Sequence, residues 1–246
     1  MTERPLPIAS RRTTSPSVTP QEPTKRIRTT GGLVIAVYGA RADVGVTTVA
    51  TSLARAFRSL GSERVALVEL DARAVRARSA SLAGDGPAAV TDSDHFDVPG
   101  LNAALVPQSD GVWTLAMTRP RTPVMSDAKS VTVALDAIRA RFAVSVVELE
   151  HQVNERTLAA FDAADRIVIV TEGSVPTLRG TQRVLRLCRR LNYPDEKMCV
   201  VVNRSDAAGS LTVADISVAL KREVVWKIGL AEAFDLVGLA ERLLAE

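Results

Sequence analysis

Aromatic residues are scarce in this chain: two Trp, two Tyr and five Phe among 246 residues. A core assembled without them must come from Val, Ile, Leu and Ala, and a 46% hydrophobic content is enough for one α/β domain of that kind. Cysteine is nearly absent as well. Cys188 and Cys199 stand at a spacing that suits neither a metal site nor a disulfide framework, so a reducing cytoplasm is the expected setting. His95 and His151 are isolated and read as loop residues rather than ligands. No apolar run approaches the ~18 residues of a membrane span, and no secretory leader pattern stands out.

The body of the chain also lacks an excess of positive charge. Residues 1–30 carry Arg4, Arg11, Arg12, Lys25, Arg26 and Arg28 against Glu3 and Glu22, a net of +4; the whole is +3, so residues 31–246 sum to −1. The basicity belongs to the tail. With Pro5, Pro7, Pro16, Pro20 and Pro23 among many Ser and Thr, residues 1–30 have too little apolar content to fold and are expected to be disordered, ahead of a single domain over 31–246.

Continuous apolar runs predict strands over 33–38, 64–70, 112–117, 143–149, 166–171, 198–202 and 223–228. Helical periods cover 47–59, 127–141, 155–163, 175–191, 212–220 and 231–245. Strands of this kind are buried on both faces, which implies an α/β fold in three layers: a mostly parallel sheet of about seven strands flanked by helices. Residues 72–110 are the least legible, broken by Gly84, Gly86, Pro87, Pro99 and Gly100.

The most telling absence is one lysine. Tyr38-Gly39-Ala40-Arg41-Ala42-Asp43-Val44-Gly45-Val46-Thr47-Thr48 sits between the first strand and the first helix, where a phosphate-binding loop G-x-x-x-x-G-K-[ST] would lie. Gly45, Thr47 and Thr48 remain, but Ala40 stands at the first glycine and Val46 at the lysine. A unit charge ~4 Å from a phosphate is worth on the order of 4 kcal/mol at an effective dielectric near 20, so Val46 should weaken nucleotide binding heavily. Asp43 adds a carboxylate where a polyanion would approach. A strand, turn and helix with no ligand is the competing reading.

Further motifs follow in order. Val65 to Asp71 is an apolar strand ending Glu69-Leu70-Asp71, Val144 to Leu149 is a second with Glu148 near its end, Leu158 to Glu172 is an Ala- and Asp-rich helix leading into a strand, and Val200-Val201-Val202 ends in Asn203-Arg204. Together with the loop these resemble the MinD/ParA superfamily of deviant Walker A P-loop ATPases, most closely its CpaE/TadZ branch, which positions pilus-assembly machinery. The resemblance covers residues 33 to 228. It implies nucleotide-binding positions at Arg41, Ala42, Asp43, Gly45, Val46, Thr47, Thr48, Asn203 and Arg204, with Arg41 on the signature lysine that reaches across a dimer and Asn203 on the residue that recognises adenine. It implies magnesium held through Thr47 and Glu148 if nucleotide binds, and a water-orienting role for Asp71 if the protein is active. On the residues alone, Glu69 and Glu148 can equally be exposed strand-end carboxylates without a role, and Asp71 a helix cap.

Val46, Asp43, Glu69 and Glu148 all depart from the family pattern at groups that touch phosphate or metal. The implied function is a localisation or scaffolding protein with a degenerate ATP site, in which ATP and magnesium bind weakly or not at all and which is not an efficient ATPase. It would form a homodimer and bind pilus or other cell-envelope assembly proteins. It would be cytoplasmic, recruited to the pole or the inner face of the membrane by a partner. Alternatives are an active ATPase of the same branch, or a DNA-segregation or division-site positioning protein. Arg179, Arg183, Arg186 and Arg190 share one helix face, but DNA binding is not expected of a near-neutral domain. Nor is direct membrane binding, since Glu232, Asp235, Glu241 and Glu246 outnumber Arg242 in the C-terminal stretch.

Overall fold

The computed structural model describes residues 31–70, 90–91, 101, 104–118, 127–230 and 235–245. The tail over 1–30 and Asp71 lie outside the described residues. The seven expected strands are present as β1 (Leu33–Gly39), β2 (Val65–Glu69), β5 (Val112–Thr118), β6 (Val144–Glu148), β7 (Arg166–Thr171), β8 (Met198–Val202) and β9 (Val224–Lys227). Two pairs of residues, β3 (Val90–Thr91) and β4 (Val106–Pro107), add short strands that carry no apolar run to announce them.

The sheet runs β3-β5-β2-β6-β1-β7-β8-β9, with β4 beside β5. Every described pairing is parallel except β4 with β5. Chain connections leave β1 toward β2 on one side and reach β7, β8 and β9 on the other, so the turn after β1 opens where the strand order switches direction. In open parallel sheets this is where ligands bind, at the carboxyl ends of the strands.

Six described helices cover the sheet. On one face lie α1 (Val46–Ser59) and α6 (Val237–Ala245), whose Val49, Leu53, Phe57, Leu239 and Leu243 join Ile35, Val37, Leu67, Val146 and Cys199. On the other lie α2 (Asp127–Arg139), α3 (Glu155–Ala163), α4 (Val175–Arg190) and α5 (Val213–Leu220), with Leu135, Phe161, Leu185, Cys188 and Ile216 packed on Val34, Ala36, Val147 and Ile169. Five of the six helices match the sequence periods, and the C-terminal one begins at Val237 after non-helical Asp235 and Leu236, while the expected start at 231 lies outside the described residues. Asp235 Oδ1 accepts from the Val237 N–H at 3.1 Å, so a carboxylate satisfies a free donor at the helix start.

At the amino ends of the strands, Arg139 ties three segments together. Its guanidinium donates to the carbonyl of Gly32 at 2.9 Å, to Asp165 Oδ2 at 2.8 Å and to the carbonyl of Ala163 at 2.6 Å. The same Asp165 oxygen accepts from the Val34 N–H at 2.8 Å.

Candidate functional site

The loop after β1 is shaped by two left-handed residues. Asp43 has φ 65° and Gly45 φ 92°, the second being the cap that opens α1. No side chain caps this helix start, so the first N–H groups of α1 point out of the helix without an internal acceptor. Such N–H groups suit an anion. Gly45 is also required by space: a Cβ there would lie 2.3 Å from Asn203 Nδ2.

The inner side of the loop is apolar. Val44 is 2% exposed and belongs to the α1-side core. A Cβ at Gly39 would lie 2.5 Å from Val44 Cγ2 and 2.7 Å from Val46 Cγ2, so both isopropyl groups close over the end of β1. Val46 is the first residue of α1, and the side chain where a phosphate loop carries its cation is half-buried hydrocarbon. Arg41, Ala42 and Asp43 are exposed at the loop's outer rim.

Beside the loop stand two carboxylates. Glu69 ends β2 and Glu148 ends β6, in register with one another on neighbouring parallel strands. Both follow by two residues a side chain of the α1-side core, Leu67 and Val146, so both project toward α1. They are 2% and 1% exposed, which corrects the reading of them as exposed strand-end groups. Thr47 Oγ1, from the first turn of α1, donates to Glu148 Oε1. A hydroxyl and a carboxylate so joined are the hard oxygen donors that magnesium takes. Among the described residues, no group of three or more His, Cys, Asp or Glu could hold a metal by itself.

The back of the loop is held by the end of β8. Asn203, 2% exposed, donates through Nδ2 to the carbonyl of Val44 at 3.0 Å and accepts through Oδ1 from the Arg204 N–H at 2.9 Å. Arg204 donates to the carbonyl of Asp43 at 2.9 Å and pairs with Glu172 at the end of β7. Asn203 and Arg204, which the resemblance places among the nucleotide-binding positions, both grip the loop's backbone carbonyls here. Glu172 is the residue that sequence reasoning gave no role. Thr171 and Val202 pair in register, so Glu172 and Asn203-Arg204 leave adjacent strands side by side.

On the opposite face, Tyr38 donates its hydroxyl to the carbonyl of His151 at 2.9 Å and packs edge-on against Phe161. Burial, helped by the neighbouring Cys188 and Glu150, pushes its pKa up to about 12, so it remains a neutral donor. This pairing fixes the last turn of β1 from behind.

For a nucleotide polyphosphate, the fit is divided. The backbone and the Thr47–Glu148 pair suit phosphate and metal. The charge suits it less: Asp43, Glu69, Glu148 and Glu172 lie in or beside the loop, and the Arg204 guanidinium there is already paired with Glu172, while Arg41 stands exposed at the rim.

No protein-family model matches the sequence, and no curated protein matches it. Solved structures do. MinD from Pyrococcus horikoshii OT3 with Mg-ADP superposes with a TM-score of 0.68 at 14% identity, over 87% of this chain and 97% of that one. This chain has the MinD/ParA fold. The MinD/ParA likeness extends to the MinC:MinD complex of Aquifex aeolicus, at TM-score 0.64 and 22% identity over 86% of each chain. A ParA family ATPase from Chlorobium tepidum TLS gives 0.64 at 17% identity, over 87% of this chain and 89% of that one. Among the described residues no helix is long and apolar enough to cross a membrane.

Proposed function

We propose that this protein is a CpaE/TadZ-like localisation and scaffolding protein, which positions a cell-envelope assembly, such as a pilus or secretion machine, through dimerisation and partner binding. The observation that carries this reading is Val46: its side chain closes on Gly39 where a phosphate loop needs a cation, while the loop's backbone is held in place by Asn203 and Arg204. Such a site is retained as a surface and weakened as a nucleotide pocket. Arg41, at the exposed rim, then serves the face where two copies meet.

The expected affinity for MgATP is weaker than about 100 μM, a binding free energy below roughly 5.5 kcal/mol. Calorimetry with MgATP measures it, and submicromolar binding would overturn the reading. The dimer should form without nucleotide, since one that needed ATP would be disabled by the same substitutions. Light scattering that finds a monomer alone and a dimer only with MgATP would count against it. One observation favours a second reading, an active ATPase: the Thr47–Glu148 contact keeps the metal donors together. Nucleotide-dependent phosphate release separates the two.

A further inference from the structure

The helix α4 (Val175–Arg190) contains five arginines and no acidic residue. Arg189 lies 3.6 Å from Asp195. Arg179, Arg183, Arg186 and Arg190 are all exposed and make no ion pair or hydrogen bond among the described residues. At 100° per residue these four fall within an arc of about 60°, and the ridge they form is about 16 Å long. The buried side of the helix, with Leu178, Thr181, Val184, Leu185 and Cys188, lies directly opposite.

Both flanks of the ridge are fixed. On one side a Cβ at Gly180 would lie 3.0 Å from the Cβ of Ala40, so α4 sits against the start of the loop. On the other, Gln182 Nε2 donates to the Ala219 carbonyl of α5 at 2.8 Å. Exposed aliphatic side chains bracket it: Val175 at 53% and Leu191 at 44% at the two ends, and Val218 at 79% on α5.

We propose that this ridge is the docking surface for an acidic amphipathic helix of a partner protein, a proposal that rests on the scaffold reading above. The intervals 179, 183, 186, 190 are four, three and four, the spacing at which one helix meets another along a seam. A second helix with Glu or Asp at the same intervals places a carboxylate against each guanidinium, and each such pair can be bidentate. The aliphatic groups at the ends and on α5 suit the apolar residues of the same helix. A nucleic acid fits less well, because its affinity grows with the number of phosphates neutralised and residues 31–246 sum to −1. A lipid surface needs an apolar helix face to enter it, and that of α4 is spent in the core.

The test uses the full chain without nucleotide and a fluorescent amphipathic peptide with Glu at four-three-four intervals, read by anisotropy. Binding should weaken as salt rises from about 50 to about 300 mM. The double variant Arg183→Glu with Arg186→Glu should bind the peptide at least ~10-fold more weakly, and should prefer a matched peptide in which Lys replaces Glu. The fourfold change of Arg179, Arg183, Arg186 and Arg190 to Gln, with folding checked by circular dichroism, should lose the Glu peptide in the same way. Equal binding of the Glu peptide by wild type and by a folded variant overturns the proposal. So does tighter binding by wild type of a mixed-sequence DNA duplex, or of vesicles containing phosphatidylserine, than of the peptide. Since neither MgATP nor dimerisation is read here, failure of this test leaves the calorimetry and scattering tests of the scaffold reading intact.

Discussion

At the amino edge of the sheet, one guanidinium from Arg139 meets two carbonyls and a carboxylate, and the carboxylate in turn holds a strand N–H. At the carboxyl edge, Glu69, Glu148 and Glu172 gather round a loop with two left-handed residues and an uncapped helix start. The first edge matches its charges and fixes where strands begin. The second sets two buried carboxylates beside a loop with two left-handed residues, and its Glu172 is paired with Arg204. That contrast makes the carboxyl edge the place to test for function.

The sharpest way to break the contrast is at Arg139. Its side chain is 15% exposed, and Arg139→Ala leaves Asp165 and two carbonyls without their shared donor. The expected loss is about 3 kcal/mol in chemical denaturation, with nucleotide affinity unchanged in the folded fraction.

A smaller effect, confined to the other edge, is expected from Gly45→Ala. Gly61 provides the control, since its φ of 89° nearly equals the 92° of Gly45 but a Cβ there would meet nothing within 4 Å. Gly61→Ala should cost about 1 kcal/mol for the backbone alone, and Gly45→Ala about 2 kcal/mol because Asn203 must move. In an Asn203→Ala background the excess at Gly45 should largely vanish, which a double-mutant cycle reads directly.

The carboxyl edge can also be repaired. Ala42→Gly, Asp43→Gly and Val46→Lys together supply a cation and remove a repulsive charge, and glycine is at ease at the φ of 65° that Asp43 now holds. MgATP binding should strengthen at least tenfold, about 1.4 kcal/mol. Turnover should stay slow until Glu148→Asp is added, because the extra methylene of Glu would misplace the water shell of a magnesium bound there. A triple variant that folds normally yet binds no better would mean that the loop is not a relic of a nucleotide site.

The smallest effect is expected at the amino edge too, at the start of β5. Burial pushes the Asp110 carboxyl up, but the Arg55 guanidinium at 2.7 Å and the Val112 N–H outweigh it and hold the carboxyl below its ordinary value. The stability this contributes is present above the ordinary carboxylate range and is lost as pH falls through the lowered folded value. Since Arg55 is 60% exposed, Asp110→Asn should cost under ~1 kcal/mol at neutral pH and less as the solution is acidified.

The seven long strands could be read in the sequence because most of them are nearly continuous apolar runs, and such runs are what burial on both faces of a parallel sheet demands. The strands Val90–Thr91 and Val106–Pro107 could not, being two residues each and fixed only by their neighbour β5. The Thr47–Glu148 contact was within reach, since motif order puts one at the start of α1 and the other at the end of β6. The grip of Asn203 and Arg204 on the loop's carbonyls was not, because it depends on how closely β8 approaches the turn after β1. The pairing of Glu172 with Arg204 needs only the knowledge that β7 and β8 are neighbours, which sequence order alone does not supply.

The two thiols divide the molecule in a way that experiments can exploit. Cys188 faces the four-helix layer and Cys199 the two-helix layer, and both are buried. Burial pushes the Cys188 thiol up to about 11, so at pH 8 it stays protonated and the folded protein should resist alkylation there. Each layer thus carries its own natural reporter: the rate at which a thiol reagent modifies one cysteine or the other, resolved by peptide mass, times the opening of that layer. A bound partner or nucleotide that braces one side of the sheet would register as protection of a single cysteine, with no label added to the surface.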